Sequence, residues 1–409
     1  MMRMKYYFTI LCCFLLMVGC NELAMDDGRE ELASPIMLTK SQQEVADSSV
    51  GFAFNLLREL SQERSGENLF ISPIGVSAVS CMMANGAGDA TRDEILEAIG
   101  LKGFTIDQMN DYYATMLTAL KKADLSVSFL SANSLWASKD LKLYRSYQKQ
   151  MDKVYGADMF SVDFAATGAL KKINLWCSDQ TQGRIPKMFE QIPEETRLML
   201  INALYFKGAW TCAFQESATR EDDFITLSGA KERIPFMNMT ALMSGYLDEE
   251  VSVVKLPYGN ETFYLEAIMP TGSFASFLQG LTVEKLTNWD MPNCEAIALK
   301  FPRFKEECDT GEALIPVMNR LGMNLAFTED ADFSKMAEKK LVVDEMRQKT
   351  YLSIDEKGTE AAAVTVARFR KAAAMTDPVV VEMSFDRPFV YLIREQSTGA
   401  ILFIGTKVK

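Results

Sequence analysis

Histidine is missing altogether from this 409-residue chain. Its absence excludes a Ser-His-Asp triad, a Cys-His dyad and histidine-ligated zinc. Carboxylate pairs and Ser-Lys arrangements stay open, yet with 55 Asp and Glu residues no pair stands apart from the rest. The chain is therefore read as something other than an enzyme, with no metal and no cofactor expected. The eight cysteines build no framework. Cys12 and Cys13 fall in an apolar N-terminal run and Cys20 follows it, while Cys81, Cys177, Cys212, Cys294 and Cys308 are widely spaced and show no metal-ligand pattern. Those five read as buried apolar packing. Basic excess is lacking too: a net charge of −12, without a clustered basic helix, argues against nucleic acid or heparin as a partner. No Pro/Gly/Ser linker or composition break divides the chain, so one large domain is expected despite a length that would allow two or three. At 48% hydrophobic and 24% charged, it has ample material for a core.

At the N-terminus, Arg3 and Lys5 precede an apolar run from Tyr6 to Val18 that ends in Gly19-Cys20. The run is short for a bilayer span and reads as an export signal. Gly19-Cys20 resembles the bacterial lipobox, in which the cysteine after the cut becomes lipidated; a plain secretory signal is the alternative. Residues 1–19 are assigned to the signal, whose removal takes Arg3 and Lys5 and makes the charge −14. Residues 20–40, with Glu22, Asp26, Asp27, Glu30 and Glu31, read as a lipidated acidic tether, and 41–409 as the folded domain. This makes the chain an exported outer-membrane lipoprotein, facing the cell surface or the periplasm, or else a secreted protein, with a lipid anchor as its one membrane contact.

The folded part opens helical. Phe52, Leu56, Leu57 and Leu60 fall on one stripe of a helix beginning near Gln42. Ser72 caps a second, with Pro73 in its first turn and Gly86 at its end. Thr91 and Glu94 are spaced as the capping box of a third, closed by Gly100. Leu125, Val127 and Phe129 alternate as a strand leading to Trp136. Strands at 251–256 and 262–269 flank a Pro257-Tyr258-Gly259-Asn260 turn, and continuous apolar runs at 388–393 and 401–405, split by a turn through Gly399, predict strands buried on both faces.

Residues 356–373, EKGTEAAAVTVARFRKAA, fit no ordinary loop. Thr359, Ala361, Ala363, Thr365, Ala367 and Phe369 form one alternate set, and Glu360, Ala362, Val364, Val366, Arg368 and Arg370 the other. Such period-two patterning suits a strand with one covered face. Yet the segment begins at a glycine, carries alanines of poor strand propensity and closes without a hairpin turn. A helix or an Ala-rich linker is the alternative on these residues alone.

EKGTEAAA, spanning Glu356 to Ala363, resembles the reactive-loop hinge of the serpin family. Further resemblances lie in Asn68, Phe70, Ser72 and Pro73, in Asn174, Trp176, Thr181 and Gly183, in Asn202, Phe206, Gly208 and Trp210, in LKFPRFK at 299–305, ADFSKM at 331–336 and FDRPF at 385–389. They run in the family's order from about residue 45 to the C-terminus. The resemblance implies an α+β fold, with helices packed on three β-sheets and an exposed reactive-centre loop. It also implies an inhibitory-type hinge at Glu356, Gly358, Thr359, Glu360, Ala361, Ala362 and Ala363, whose small side chains let the loop slide between paired strands. Ser72, Asn202 and Gln348 take the shutter positions beneath the main sheet, and Trp210 the breach where the loop enters.

The implied function is inhibition of serine proteases, with cysteine proteases as a further option, by suicide cleavage of the loop and its insertion into the sheet, a known case of strand addition. The partner would be the target protease, held as a covalent acyl-enzyme by a monomeric inhibitor. Family spacing from Gly358 puts the reactive bond at Ala372-Ala373, with Lys371 and Arg370 as alternatives; the alanines suit an elastase-like or subtilisin-like target. A non-inhibitory binding protein of the same fold is the alternative function. Two departures leave the shutter's hydrogen bonding open: Gln348 stands where most members carry histidine, and Gly75 where serine is usual. The gap between the loop and Phe389 is also longer than common.

Overall fold

The computed structural model describes residues 35–289, 294–359 and 380–409. Helix α1 (Lys40–Glu63), strand β1 (Leu69–Ile71) and helices α2 (Pro73–Gly86), α3 (Asp89–Ala98) and α4 (Ile106–Leu120) come first. They are followed by β2 (Ser128–Ser138), α5 (Arg145–Tyr155), β3 (Asp158–Val162), α6 (Thr167–Gln180) and β4 (Leu198–Ala209). The middle holds β5 (Arg220–Ile225), β6 (Lys231–Leu247), β7 (Val251–Tyr258), β8 (Phe263–Pro270), α7 (Phe274–Gln279), α8 (Val283–Trp289), β9 (Cys294–Pro302) and β10 (Phe304–Asp309). Helix α9 (Leu314–Arg320) and strands β11 (Glu345–Asp355), β12 (Gly358–Thr359), β13 (Val380–Ser384), β14 (Phe389–Glu395) and β15 (Ile401–Lys407) complete the order.

One sheet runs β10-β11-β12-β4-β2-β3, with β11 also pairing β4 directly. The long strand β6 joins the other two ladders. Between Phe236 and Ser244 it pairs with β9, which pairs in turn with β13, while β5 lies on its other edge. At Gly245 to Leu247 it pairs with β7, and that ladder continues through β8, β14 and β15 to β1. The fold is thus the expected α+β arrangement of helices on three sheets, two of them continuous through β6.

The sequence signals explain the best-formed elements. In α1, Thr39 accepts a hydrogen bond from the Gln42 N–H and the Gln42 side chain accepts one from the Thr39 N–H, while Phe52, Leu56, Leu57 and Leu60 are buried. Ser72 caps α2, with Pro73 at its start. Every residue of β14 and β15 is buried, as their unbroken apolar runs require. Phe70 stacks on Phe403 at 4.8 Å between centroids, and Phe206 meets the same ring edge-on at 6.2 Å, so the first sheet and the β14–β15 ladder share a core. Outside the first sheet, α6 covers β2 and β4 with Ile173, Trp176 and Cys177 against Trp136, Met199, Ile201 and Ala203.

Four local expectations change. Helix α3 starts two residues before Thr91 and has Gly88 at its N-cap. Thr91 and Glu94 instead cap a distant segment, accepting hydrogen bonds from the backbone N–H of Asp332 and from those of Asn324 and Leu325. Leu125 lies outside β2 and is 87% exposed, because the Asp124 carboxylate takes the Ser126 N–H and forms a local turn. Strand β7 continues through Pro257 and Tyr258, moving the hairpin turn on to Gly259, with φ +47°, and Glu261, with φ +73°. Cys81, Cys177 and Cys308 are buried as expected, but Cys212 is exposed.

Candidate functional site: the seam of the six-stranded sheet

Two neighbouring strands of the first sheet run parallel. The β4–β11 ladder holds seven pairs, from Glu345 opposite Met199 to Tyr351 opposite Tyr205. Above Tyr351 the strands part and β12 enters. Gly358 and Thr359 pair with Asp355 and Ile354 on one side and with Ala209 and Gly208 on the other, antiparallel to both. The seam is therefore closed along most of its length and wedged open at one end by the first two residues of the following segment.

At the open end, Gly358 has φ +144° and a Cβ there would meet the Gly208 carbonyl oxygen, with Ala209 Cα at 2.7 Å and Trp210 N at 2.9 Å. Glycine is thus demanded by backbone conformation and by close approach together. Thr359 is fully buried and shares a hydrogen bond with the Tyr258 hydroxyl at 2.7 Å, so its side chain faces the core. Tyr258 stacks on Trp210 at 4.5 Å and 16°. The Trp210 indole N–H donates to the Asp355 carbonyl at 2.8 Å, and its backbone N–H to the Lys357 carbonyl at 2.9 Å. Burial raises the Tyr258 phenol far above its ordinary range, which keeps it neutral.

Glu356 anchors the same end. It is 5% exposed, and its carboxylate accepts from Thr219 Oγ1 at 2.7 Å and from Arg303 at 3.3 Å. Burial by itself pushes this carboxyl up, but the Thr219 hydroxyl, a backbone N–H and the Arg303 charge outweigh it and hold the group below its ordinary value.

Midway down the closed seam, three side-chain amides lie in one cross-strand row. Gln348 faces Asn202 across the seam, and Asn202 faces Asn133 across the next ladder. Gln348 Nε2 donates to Asn202 Oδ1 at 2.8 Å and to the Ser72 carbonyl at 2.9 Å, and its Oε1 accepts from the Ser72 N–H at 2.7 Å. Asn202 Nδ2 donates to Asn133 Oδ1 at 2.8 Å, and Asn133 Nδ2 to the Tyr155 carbonyl at 3.2 Å. The Ser72 hydroxyl donates to the Leu402 carbonyl at 2.6 Å, tying α2 to β15. The hydrogen bonding left open by Gln348 and Gly75 is thus complete, with neutral groups throughout.

Of the residues singled out from sequence, Ser72, Asn202 and Gln348 come together in the middle of the seam, and Trp210, Glu356, Gly358 and Thr359 at its open end. Glu360, Ala361, Ala362, Ala363, Arg370, Lys371, Ala372, Ala373 and Cys20 lie outside the described residues. Tyr258, Asn133, Thr219 and Arg303 were not foreseen. Arg303 sits inside LKFPRFK and Tyr258 beside the hairpin turn, but their partners are 53 and 101 positions away, beyond any local pattern.

The site is thus a parallel seam in an α+β fold, with Gly358 and Thr359 already seated between its two strands. The Serpin (serine protease inhibitor) family model matches residues 47–409. The chain belongs to the serpin family. It is 31% identical over 389 residues to Iripin-8 from Ixodes ricinus, covering 90% of this chain and 94% of that one. To the human leukocyte elastase inhibitor it is 28% identical over 380 residues, covering 89% and 98%. The crystal structure of the thermophilic serpin Tengpin in the native state superposes with a TM-score of 0.80 at 27% identity, over 92% of this chain and 96% of that one. Members of this family are mostly protease inhibitors rather than catalysts.

Proposed function

We propose that the chain inhibits serine proteases, and cysteine proteases with a matching cleft, by offering residues 360–379 as a substrate loop and trapping the acyl-enzyme as the cut loop enters the seam. The observation that carries this reading is the half-begun insertion. Gly358 and Thr359 already pair with both β4 and β11 in one register. Each further loop residue then falls one position back on both strands. Thr365 meets Asn202 and Gln348, and Arg368 meets Met199 and Glu345, which already face each other. The two ladders agree on one register, so a strand can be added without shifting either neighbour. Phe369 reaches Leu198, the first residue of β4. A strand filling the seam ends there, and the reactive bond lies beyond it, at Ala372-Ala373, or after Lys371 or Arg370. Small residues at the bond favour an elastase-like or subtilisin-like target, in keeping with the likeness to the human leukocyte elastase inhibitor.

In the same reading the protein acts as a monomer, needs no metal or cofactor, and is exported with Cys20 as its lipid anchor, facing the surface or the periplasm. Incubation of the full chain with elastase, subtilisin and trypsin, followed by a denaturing gel and mass mapping of the cut, tests it. An SDS-resistant complex with a cut between 370 and 373 is the expected result. Cleavage without any stable complex, across a broad panel of serine and cysteine proteases, would leave the non-inhibitory binding protein instead.

A further inference from the structure

The cross-strand amide row places one hydrogen bond, and no charge, across the middle of the seam. We propose that Gly75, Asn202 and Gln348 form an uncharged clasp in which Gly75 is the positioning residue, so that the stability with which the seam is held closed does not change with pH between about 6 and 8.5. This inference rests on the loop-insertion reading for its biological meaning, but its geometry is independent of any protease.

Gly75 lies in the first turn of α2, directly beneath β4. A Cβ at this position would collide with Asn202 Oδ1 and come within 2.8 Å of Asn202 Cγ and 2.9 Å of Leu204 Cδ1. The Asn202 carboxamide thus occupies the space that any side chain at 75 would need. From that place Oδ1 accepts from Gln348 while Nδ2 reaches Asn133. Gln348 is in turn fixed on its other side by both backbone groups of Ser72 and, through its own backbone N–H, by Thr310 Oγ1 at 2.9 Å. Gly75 makes room, Asn202 turns into it, and Gln348 closes on Asn202. When the strands part, one bond of this row breaks. The Asn202–Asn133 bond stays on the β4 side and the Ser72–Gln348 bonds on the β11 side.

Nothing titratable belongs to the clasp. On the elements packed around it are the Cys81 thiol on α2, the Tyr112 and Tyr113 phenols on α4, the Tyr147 and Tyr155 phenols on α5, the Cys308 thiol on β10 and the Tyr391 phenol on β14, and burial raises every one of them. On the opposite face of β11 are Arg347, paired with Asp309 at 2.7 Å, Lys349, paired with Glu307 at 2.7 Å, and Glu345, whose carboxyl burial raises. Glu306 on β10, bonded to Asn68 and Lys407, is likewise raised by burial. Glu345 and Glu306 are therefore the groups to neutralise in a control.

The test uses the full chain with its loop uncut and needs no protease, so its failure and that of the inhibitor reading are distinguishable. Thermal midpoints are measured from pH 6 to 8.5 for the wild type, Gln348→His, Gln348→Met and the control Glu306→Gln/Glu345→Gln. A histidine in the buried row is penalised when charged, so Gln348→His should lose stability as pH falls through about 6.5. The wild type, Gln348→Met and the control should run parallel and flat. In amide exchange, Gly75→Ala should open β11 around Gln348 about tenfold more often, while β15 keeps its protection. If that variant does not fold, Gln348→Met carries the same comparison, since it keeps the volume and removes the amide. A wild-type step near pH 6.5 that survives in the control would overturn the proposal. So would a Gln348→His profile parallel to the wild type, or unchanged β11 exchange in the variant that folds.

Discussion

The β4–β11 seam and the β14–β15 ladder lie on opposite sides of one core, and they are built on different rules. The β14–β15 ladder is antiparallel and buried along its whole length, and Phe403 and Tyr391 both stack on Phe70. The seam is parallel, a slightly weaker pairing per residue. Strand β11 alternates between half-buried and buried positions, and a polar row crosses its middle. A ladder that never opens can rely on apolar area alone. If the seam parts as proposed, only the Gln348–Asn202 bond of the row is broken, which keeps the number of orphaned groups small where each buried one costs about 1 to 3 kcal/mol. The two ladders thus differ in side-chain chemistry as well as in topology.

The largest expected effect follows from filling the seam. Cutting the loop should let residues 360–369 add a strand bonded on both sides, a gain of roughly 10 kcal/mol or more at ~1 kcal/mol per hydrogen bond. For a domain of this size that raises the thermal midpoint by about 10 °C or more. Calorimetry on cut and uncut protein checks it; equal midpoints would mean that the seam does not open. Substitution in the other ladder should behave differently. Phe403→Ala removes a fully buried ring and should cost ~3 to 5 kcal/mol. It should lower the midpoints of cut and uncut protein alike, since β15 keeps its neighbours in both. A variant that spared the cut form would show that the two regions are mechanically coupled.

The same contrast decides how much could be read from the sequence. Strands β14 and β15 and helices α1 and α2 carry their signals in consecutive residues, and each was legible. Signals that depend on a remote partner were not. Thr91 and Glu94 have the spacing of a capping box, but tertiary contacts with Asn324, Leu325 and Asp332 claimed both side chains. From sequence, Gly75 and Gln348 read as departures that leave the hydrogen bonding around them open. Their fit becomes visible only once Asn202 is seen in the space above Gly75. Residues of the seam report on one another across more than a hundred positions, so no local pattern carries them.

At the open end the effects are smaller. Gly358→Ala puts a methyl group against the Gly208 carbonyl and forces a rare backbone conformation, a strain of about 1 to 3 kcal/mol. Relief should come by expelling Gly358 and Thr359 from between the strands. Amide exchange at Thr359 and a change in Trp210 fluorescence would report it, with β14 and β15 undisturbed. If the chain inhibits proteases as proposed, slower complex formation should follow, because the first step of insertion is lost.

The smallest effect expected is electrostatic, and its sign is fixed by the state of Glu356. Burial raises this carboxyl, but Thr219, a backbone N–H and Arg303 bring it below its ordinary value, so the fold prefers the ionised form. Stability from this group is fully present above the ordinary carboxylate range and is lost as pH falls below it, through the lower value of the folded state. Glu356→Gln keeps an acceptor for Thr219 and removes only the charge facing Arg303, which is 47% exposed and therefore partly screened. The variant should be less stable than the wild type by about 1 kcal/mol or less at neutral pH. The gap should narrow in 1 M salt and close in acid, at a pH where the wild-type carboxylate is protonated. Parallel unfolding curves for the two proteins from pH 3 to 7 would read this directly. A gap that stayed constant with pH would assign the role of Glu356 to packing, leaving the open end of the seam as free of charge effects as its middle.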